Sequence, residues 1–381
     1  MSGTGTHRPG TDFPHLLTAA PLVAVLLLGV SACGASPTTA APSGSTGAAA
    51  SASHPWDGLT GAKREQALLA QAKKEGELSV YSGYNDEQSM ADAFTKKYGI
   101  AVHVYSANSE SVLQRINQEG SAGKSANDVV VDPSPDMQAI QSQGLLGTYT
   151  SEYRDAIPEK GKGKQWTGVR RLAFVAGWNT DHLKTGDVPA DYSGFADPSW
   201  KGRISMELSD VDWYATVKQY YLDHGKSEQD VDAMFEAIAQ NSKVAKGHTV
   251  QGSLLAAGQF DVALSVYTQT VERLEAKSAP VTYGADQHAI VEPVVVRYDA
   301  GALMKSASHP AAATLYLDFE LSQAGFAVDK SLGALPPIVQ DGERLGDATV
   351  AELDTPAFVE HRSELEKEYE QLVRRGTQVG G

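Results

Sequence analysis

The stretch "AKKEGELSVYSGYNDE", residues 72–87, ends one helix, makes one strand and opens a second helix within sixteen residues. Residues 62–75 are rich in Ala, Lys, Glu and Gln, and Gly76 stands at a C′ position, where a left-handed backbone stops a helix. Leu78 to Tyr81 read as a short strand, and "SGYND" as the turn after it. Asn85 or Asp86 suits the N-cap of a helix whose apolar face is Met90, Phe94 and Tyr98.

The same grammar repeats downstream. Residues 100–105 read as a strand, "SANS" leads into a helix carrying Val112, Leu113 and Ile116, and residues 128–131 read as a third strand, broken by "DPSP". Strand and helix in alternation predict a parallel α/β sheet. A second α/β half follows, with strands at 171–178 and 203–207 and β-rich runs at 260–266 and 290–298. Asp210 and Asp212 stand where a helix begins, with Trp213, Val217 and Tyr221 on one face. Ser227 and Asp230 resemble a capping box, and Pro310 sits at an N1-like position. Phe358, Arg362, Leu365, Tyr369 and Leu372 space a final amphipathic helix. There is no internal repeat.

Ahead of this body, an apolar run at 16–30 is too short for a membrane-spanning helix, which needs about 20 residues, and has the length of a signal-peptide core. Val30-Ser31-Ala32-Cys33 resembles a bacterial lipobox and contains the chain's single cysteine. That resemblance implies a lipoprotein signal peptide at 1–32 and a lipid on Cys33, holding the protein at the outer face of the cytoplasmic membrane. Residues 33–60, mostly Gly, Ala, Ser, Thr and Pro, read as a flexible tether. One cysteine excludes an internal disulfide and a Cys-based zinc or iron–sulfur site. A net charge of −15 argues against nucleic acid as a partner.

Several motif-like stretches carry no chemistry. "GSAGKS" at 120–125 lacks the first phosphate-loop glycine, since position 118 is Gln118, and follows a helix. No nucleophile elbow or helical His pair occurs, and a lone residue such as His309 suits a helix start.

With the strands placed, four phrases look like bacterial ABC-transporter solute-binding proteins of extracellular family 1. They are the opening stretch, "FADPSWKGRI" (195–204), "GSLLAAGQFDVALS" (252–265) and "ASHPAAATLYLDFELSQAG" (307–325) followed by "LGALPP". The branch includes carriers of ferric iron, thiamine, polyamines and phosphonates. The resemblance implies a type II periplasmic-binding-protein fold: two lobes, each a mostly parallel sheet flanked by helices, with a ligand cleft between them. Lobe 1 would be 61–172 plus 288–345, and lobe 2 would be 173–287 plus 346–375. It further implies an ABC permease as partner, no cofactor and no catalysis, and a monomer suits such a carrier.

The ferric ligand set carries over poorly. Asn85 stands in place of a histidine, Asp132 and Pro133 in place of a glutamate, and Tyr267 is followed by Thr268 instead of a second tyrosine. The loop "LSDVDWY", where relatives hold an anion, is acidic. The candidate cleft lining is Tyr84, Asn85, Asp86, Asn108, Ser109, Asp132 and Ser134 from one lobe, and Asp210, Asp212, Trp213 and Tyr267 from the other. Carboxylates among aromatic faces suit an organic cation. Asp86, Asp210 and Asp212 also suit helix caps, and Trp213 a core position. The expectation is therefore a carrier of an organic cation such as a polyamine or thiamine, with iron(III) as the alternative cargo and a secreted hydrolase as the alternative class.

Overall fold

The computed structural model describes residues 54–285, 288–289 and 291–379. The expected signal peptide, Cys33 and most of the expected tether lie outside the described residues. Within 33–60 the body has already begun, because Trp56 is buried against the first core cluster. Among the described residues no helix is long and apolar enough to cross a membrane.

The elements in order are α1 (Gly61–Glu75), β1 (Glu77–Ser82), α2 (Glu87–Tyr98), β2 (Ala101–Ser106), α3 (Ser109–Ser121), β3 (Val129–Pro133), α4 (Ser134–Ser142) and α5 (Glu152–Asp155). The long β4 (Thr167–Asn179) is followed by β5 (Ile204–Glu207), α6 (Val211–Asp223), α7 (Glu228–Asn241), β6 (Ser242–Ala245), α8 (His248–Ala256), β7 (Val262–Tyr267) and α9 (Thr268–Glu275). The short β8 (Val281–Thr282), β9 (Gly284–Ala285) and β10 (His288–Ala289) lead to β11 (Val294–Leu303). Then come α10 (Pro310–Glu320), α11 (Gln323–Ser331), β12 (Val350–Glu352), α12 (Thr355–Val373) and β13 (Thr377–Gln378).

Two parallel sets of strands are present. One is β3-β1-β2; the other is β13-β6-β5-β7. They are joined into one hydrogen-bonded sheet by β4 and β11, which pair antiparallel with each other and with β7 and β3 respectively. Alternation assigns each face its core. In β3, Val129 and Val131 join the cluster around Phe94 and Tyr316, while Val130 joins the one around Ile116 and Met137. In β4, Phe174, Ala176 and Trp178 face the cluster of Trp213 and Phe235, while Ala173 and Val175 face that of Leu255 and Phe260. Burial on both faces explains the continuous Val-rich runs.

The local signals behave as read. Gly76, at φ +84°, donates its N–H to Ala72 and ends α1. Ser227 accepts from the Asp230 N–H at 3.2 Å and opens α7. His309 stands at the start of α10 with its ring 2.9 Å from Asp128. "DPSP" does more than break β3, since Ser134 begins α4 directly after Pro133.

Arg170 on β4 is fully buried and reaches three carboxylates: Asp329 at 3.0 Å, Glu320 at 2.7 Å and Glu87 at 3.5 Å. Its guanidinium also lies 4.2 Å from the Tyr84 ring centroid. Burial pushes the Asp329 carboxyl up to about 6, and only Arg170 opposes it strongly. Arg170→Met should therefore remove about 3–5 kcal/mol of stability at neutral pH, since it strands buried carboxylates without a counter-charge. The loss should shrink below about pH 6, where Asp329 takes up a proton. Urea midpoints at the two pH values check it.

Candidate functional site

Three helices of the second half begin at the carboxyl ends of its strands, and their N-termini converge. Asp210 is the N-cap residue of α6 after β5, α8 starts at His248 after β6, and α9 starts at Thr268 directly after Tyr267 of β7. Such strand ends are where open α/β sheets hold ligands. Glu207, the last residue of β5, accepts from the Gly247 N–H at 2.7 Å and from the Ser209 N–H at 2.5 Å. Gly247 adopts φ +89°, a conformation that side chains resist, and this turn delivers His248 to the cluster.

Glu207, Asp210 and His248 can each offer one ligand atom, all within 4.8 Å of one another, a spacing that suits a metal ion. His248 Nε2 lies 2.9 Å from Asp210 Oδ1. Tyr267 stacks on the imidazole, with ring centroids 3.8 Å apart and planes 20° from parallel. Phe174 of β4 packs against both rings, with its centroid 4.9 Å from Tyr267 and 5.9 Å from His248. The Tyr267 hydroxyl accepts from Arg297 Nη2 at 3.1 Å, and Arg297 is itself held by Asp212 and lies 3.6 Å from Asp299.

The protonation states follow from this crowding. Burial, then the Asp210 charge, pushes the Glu207 carboxyl up to about 7. Burial alone would depress His248, but Asp210 and Glu207 outweigh it and the imidazole is raised. Burial pushes the Tyr267 phenol well up, against the pull of Arg297.

In the first half, Asp132 stands at the end of β3. It is buried, and among the described residues neither oxygen makes a hydrogen bond, although the Ser109 hydroxyl is close enough to favour the ionised form. Burial and the Asp136 charge hold its carboxyl well above the usual range. A Cβ at Gly83 would lie 2.1 Å from Asp132 Oδ1 and 2.5 Å from Ser109 Oγ, so the glycine is what lets these side chains approach. Tyr84 is buried beside them, and its hydroxyl also lacks a partner.

Other expected lining residues have different tasks. Trp213 is fully buried, edge-on to Tyr192 and Phe235, and belongs to the core. Asp86 pairs with Arg273 of α9, and Asp212 with Arg297. Asn85 is exposed; Asn108 accepts from the Ser111 N–H at 2.9 Å and caps α3. Ser134 shares a 2.7 Å hydrogen bond with Thr355 of α12. Of the expected lining, Asp86 and Asp212 are thus paired to arginines and the Trp213 indole is in the core, whereas Asp132, Asp210, Tyr84 and Tyr267 remain at or beside the strand ends.

Sequence reasoning missed Glu207, His248, Arg297 and Asp299. A signal existed for two of them, because "VVVRYDAGAL" sets an Arg and an Asp inside a strand otherwise apolar enough to be buried. His248 carried none, since only the turn at Gly247 brings it to Asp210.

Residues 89–341 match the family described as bacterial extracellular solute-binding protein. An Fe(3+)-binding periplasmic protein of Serratia marcescens is 27% identical over 194 residues, covering 48% of this chain and 55% of the relative. A major ferric iron-binding protein of Neisseria gonorrhoeae is 30% identical over 146 residues, covering 36% of this chain and 43% of the relative. These alignments span about half the length of the curated relatives. Among solved structures, iron-bound HitA from Pseudomonas aeruginosa superposes with a TM-score of 0.65 at 21% identity, covering 78% of this chain and 99% of that one. The apo ferric ion-binding protein A of Pasteurella haemolytica gives 0.64 at 18% identity, covering 78% and 98%. At such identities the likeness speaks for the fold alone, and the fold is that of the periplasmic binding proteins. The match over residues 89–341 assigns the chain: it belongs to the bacterial extracellular solute-binding proteins.

Proposed function

We propose that the chain captures ferric iron outside the cytoplasmic membrane and delivers it to an ABC permease, anchored through a lipid on Cys33. One observation carries the cargo: Glu207, Asp210 and His248 converge within 4.8 Å beside the Tyr267 phenol. Two carboxylates, an imidazole and an adjacent phenol are donors suited to a hard, highly charged iron ion. The cation would also offset the burial and the Asp210 charge that now raise Glu207. Relatives named as ferric iron-binding proteins support the same reading. The iron reading replaces the organic-cation expectation, whose anchors at Asp86, Asp212 and Trp213 are internally committed.

In this reading the lobes are residues 61–172 with 288–345 and residues 173–287 with 346–375, hinged on β4 and β11. The Asp86–Arg273 pair ties the start of α2 to α9, so it acts as a latch between the halves. Arg273 also donates to the Leu332 carbonyl at 3.2 Å. Ligand binding shifts such an equilibrium by its differential affinity for the closed form.

Titration with Fe(III) supplied as a weak chelate tests the cargo. Saturable one-to-one binding with a visible phenolate-to-iron band is expected. Tyr267→Phe should abolish the band, and Asp210→Asn should weaken binding at least about tenfold, roughly 1.4 kcal/mol. Saturation by a polyamine or thiamine without any response to iron would overturn the assignment.

Affinity should fall as pH drops from about 8 to about 6, with protons released on binding, because ligating groups must be deprotonated. The sign follows from Glu207, which holds a proton below about 7, and from the raised His248. Isothermal titration in two buffers of different ionisation enthalpy measures the release.

Arg273→Ala should enlarge the radius of gyration of the iron-free protein in X-ray scattering while barely moving its melting temperature, since a partly exposed pair contributes about 0.2–1 kcal/mol. An unchanged radius would remove the latch.

A further inference from the structure

A groove of about 440 Å³ runs between α6 and α12 and ends at β12, separate from the Glu207–His248 cluster. Its apolar floor includes Leu222, Leu353, Phe358 and Leu365, and Val350 at its end is 39% exposed. The rim is acidic: Asp223, Glu228, Glu352, Asp354, Glu364 and Glu368 face two lysines. Neither lysine leaves positive charge to spare. Lys218 is held by Asp232 at 3.0 Å and Glu368 at 3.1 Å, with Glu228 at 3.7 Å, and Lys160 lies 3.7 Å from Glu352. Glu364 has no partner among the described residues.

The second observation is backbone. β12 pairs only with β11 among the described residues. The Val294 N–H donates to the Thr349 carbonyl, and the Leu353 N–H donates to the Val296 carbonyl, both at 2.9 Å. In a parallel ladder bonded through residues 349, 351 and 353, the N–H and C=O groups of Val350 and Glu352 point away from β11. The same two residues line the groove. An unpaired strand edge is a template for an added strand, with neighbouring pockets reading alternate side chains.

We propose that this groove receives an extended segment of a partner protein, added to the edge of β12, with an apolar side chain on the Phe358–Leu365 floor and lysines or arginines along the acidic rim. The free edge selects an extended backbone over a small molecule, and the rim selects a basic sequence over an acidic one. The surface is independent of what fills the cleft, so it stands or falls apart from the iron reading.

The test uses the intact protein and two synthetic peptides, acetyl-KVKIKVK-amide and its acidic counterpart acetyl-EVEIEVE-amide. By fluorescence anisotropy the basic peptide should bind saturably, more weakly as salt is raised, and the acidic peptide should not bind. Amide NMR signals of Val350 and Glu352 should move on binding. Val350→Pro removes one outward N–H at an edge position where proline is tolerated, and should weaken binding about tenfold. Glu364→Lys, an exposed change with no bearing on the fold, should weaken it several-fold, which keeps the test decisive if the proline variant misfolds. Equal affinity for both peptides, full affinity in a folded Val350→Pro variant, or no saturable binding of the basic peptide would each overturn the proposal.

Discussion

β4 and β11 run antiparallel through the middle of the sheet, and each carries an arginine that its neighbours must neutralise, Arg170 fully buried and Arg297 mostly so. Arg170 draws in Glu87, Glu320 and Asp329, which come from α2, α10 and α11. Arg297 draws in Asp212 from α6 and the Tyr267 hydroxyl at the end of β7, with Asp299 beside it. A guanidinium without water needs several acceptors at fixed angles, so each arginine orients the helices that supply them. The two parallel strand sets are therefore joined by backbone hydrogen bonds along β4 and β11 and by these two charge clusters.

The same arrangement decides which carboxylates are available for a cargo. Asp86, Asp136 and Asp212 are each paired to an arginine, so their charge is spent within the protein. Among the described residues, Glu207 and Asp210 are not paired to an arginine or a lysine. Their main counter-charge is an imidazole that can give up its proton, and Glu207 is raised toward neutrality by burial. A cluster whose ionisation is incomplete when empty, and whose donors converge, favours an incoming cation more than a ring of satisfied ion pairs would. Asp132 offers a further buried carboxylate, with no hydrogen bond to either oxygen among the described residues.

α12 touches elements of both halves. Its first turns touch α4 through the Ser134–Thr355 hydrogen bond and through Arg362, which donates to Asp136 at 2.7 Å. Farther along, Tyr214 of α6 donates to Glu368 at 2.9 Å, and the Tyr369 hydroxyl bonds the Glu207 carbonyl. This helix connects the strand end that carries Glu207 to the opposite side of the sheet, and its outer face forms one wall of the groove beside β12.

The sequence alone determined the elements and their alternation, because those depend on short-range physics. Gly76 ends α1 through its left-handed backbone, Ser227 caps α7, and the spacing of Met90, Phe94 and Tyr98 gives α2 its buried face. The positions of these residues were legible for the same reason: Asp132 and Tyr267 stand at the ends of β3 and β7, and Asp210 opens the helix after β5. What each side chain meets there was decided only by the tertiary structure. Trp213 and Asp212 are adjacent in sequence, yet helical geometry turns the indole into the Tyr192–Phe235 core and the carboxylate toward Arg297, 85 residues away. His248 reaches Asp210 across 38 residues because Gly247 turns at positive φ, and no local pattern encodes that meeting. Periodicity reports which face of an element is apolar; the pairing of charges between elements comes only from the packing of the whole sheet.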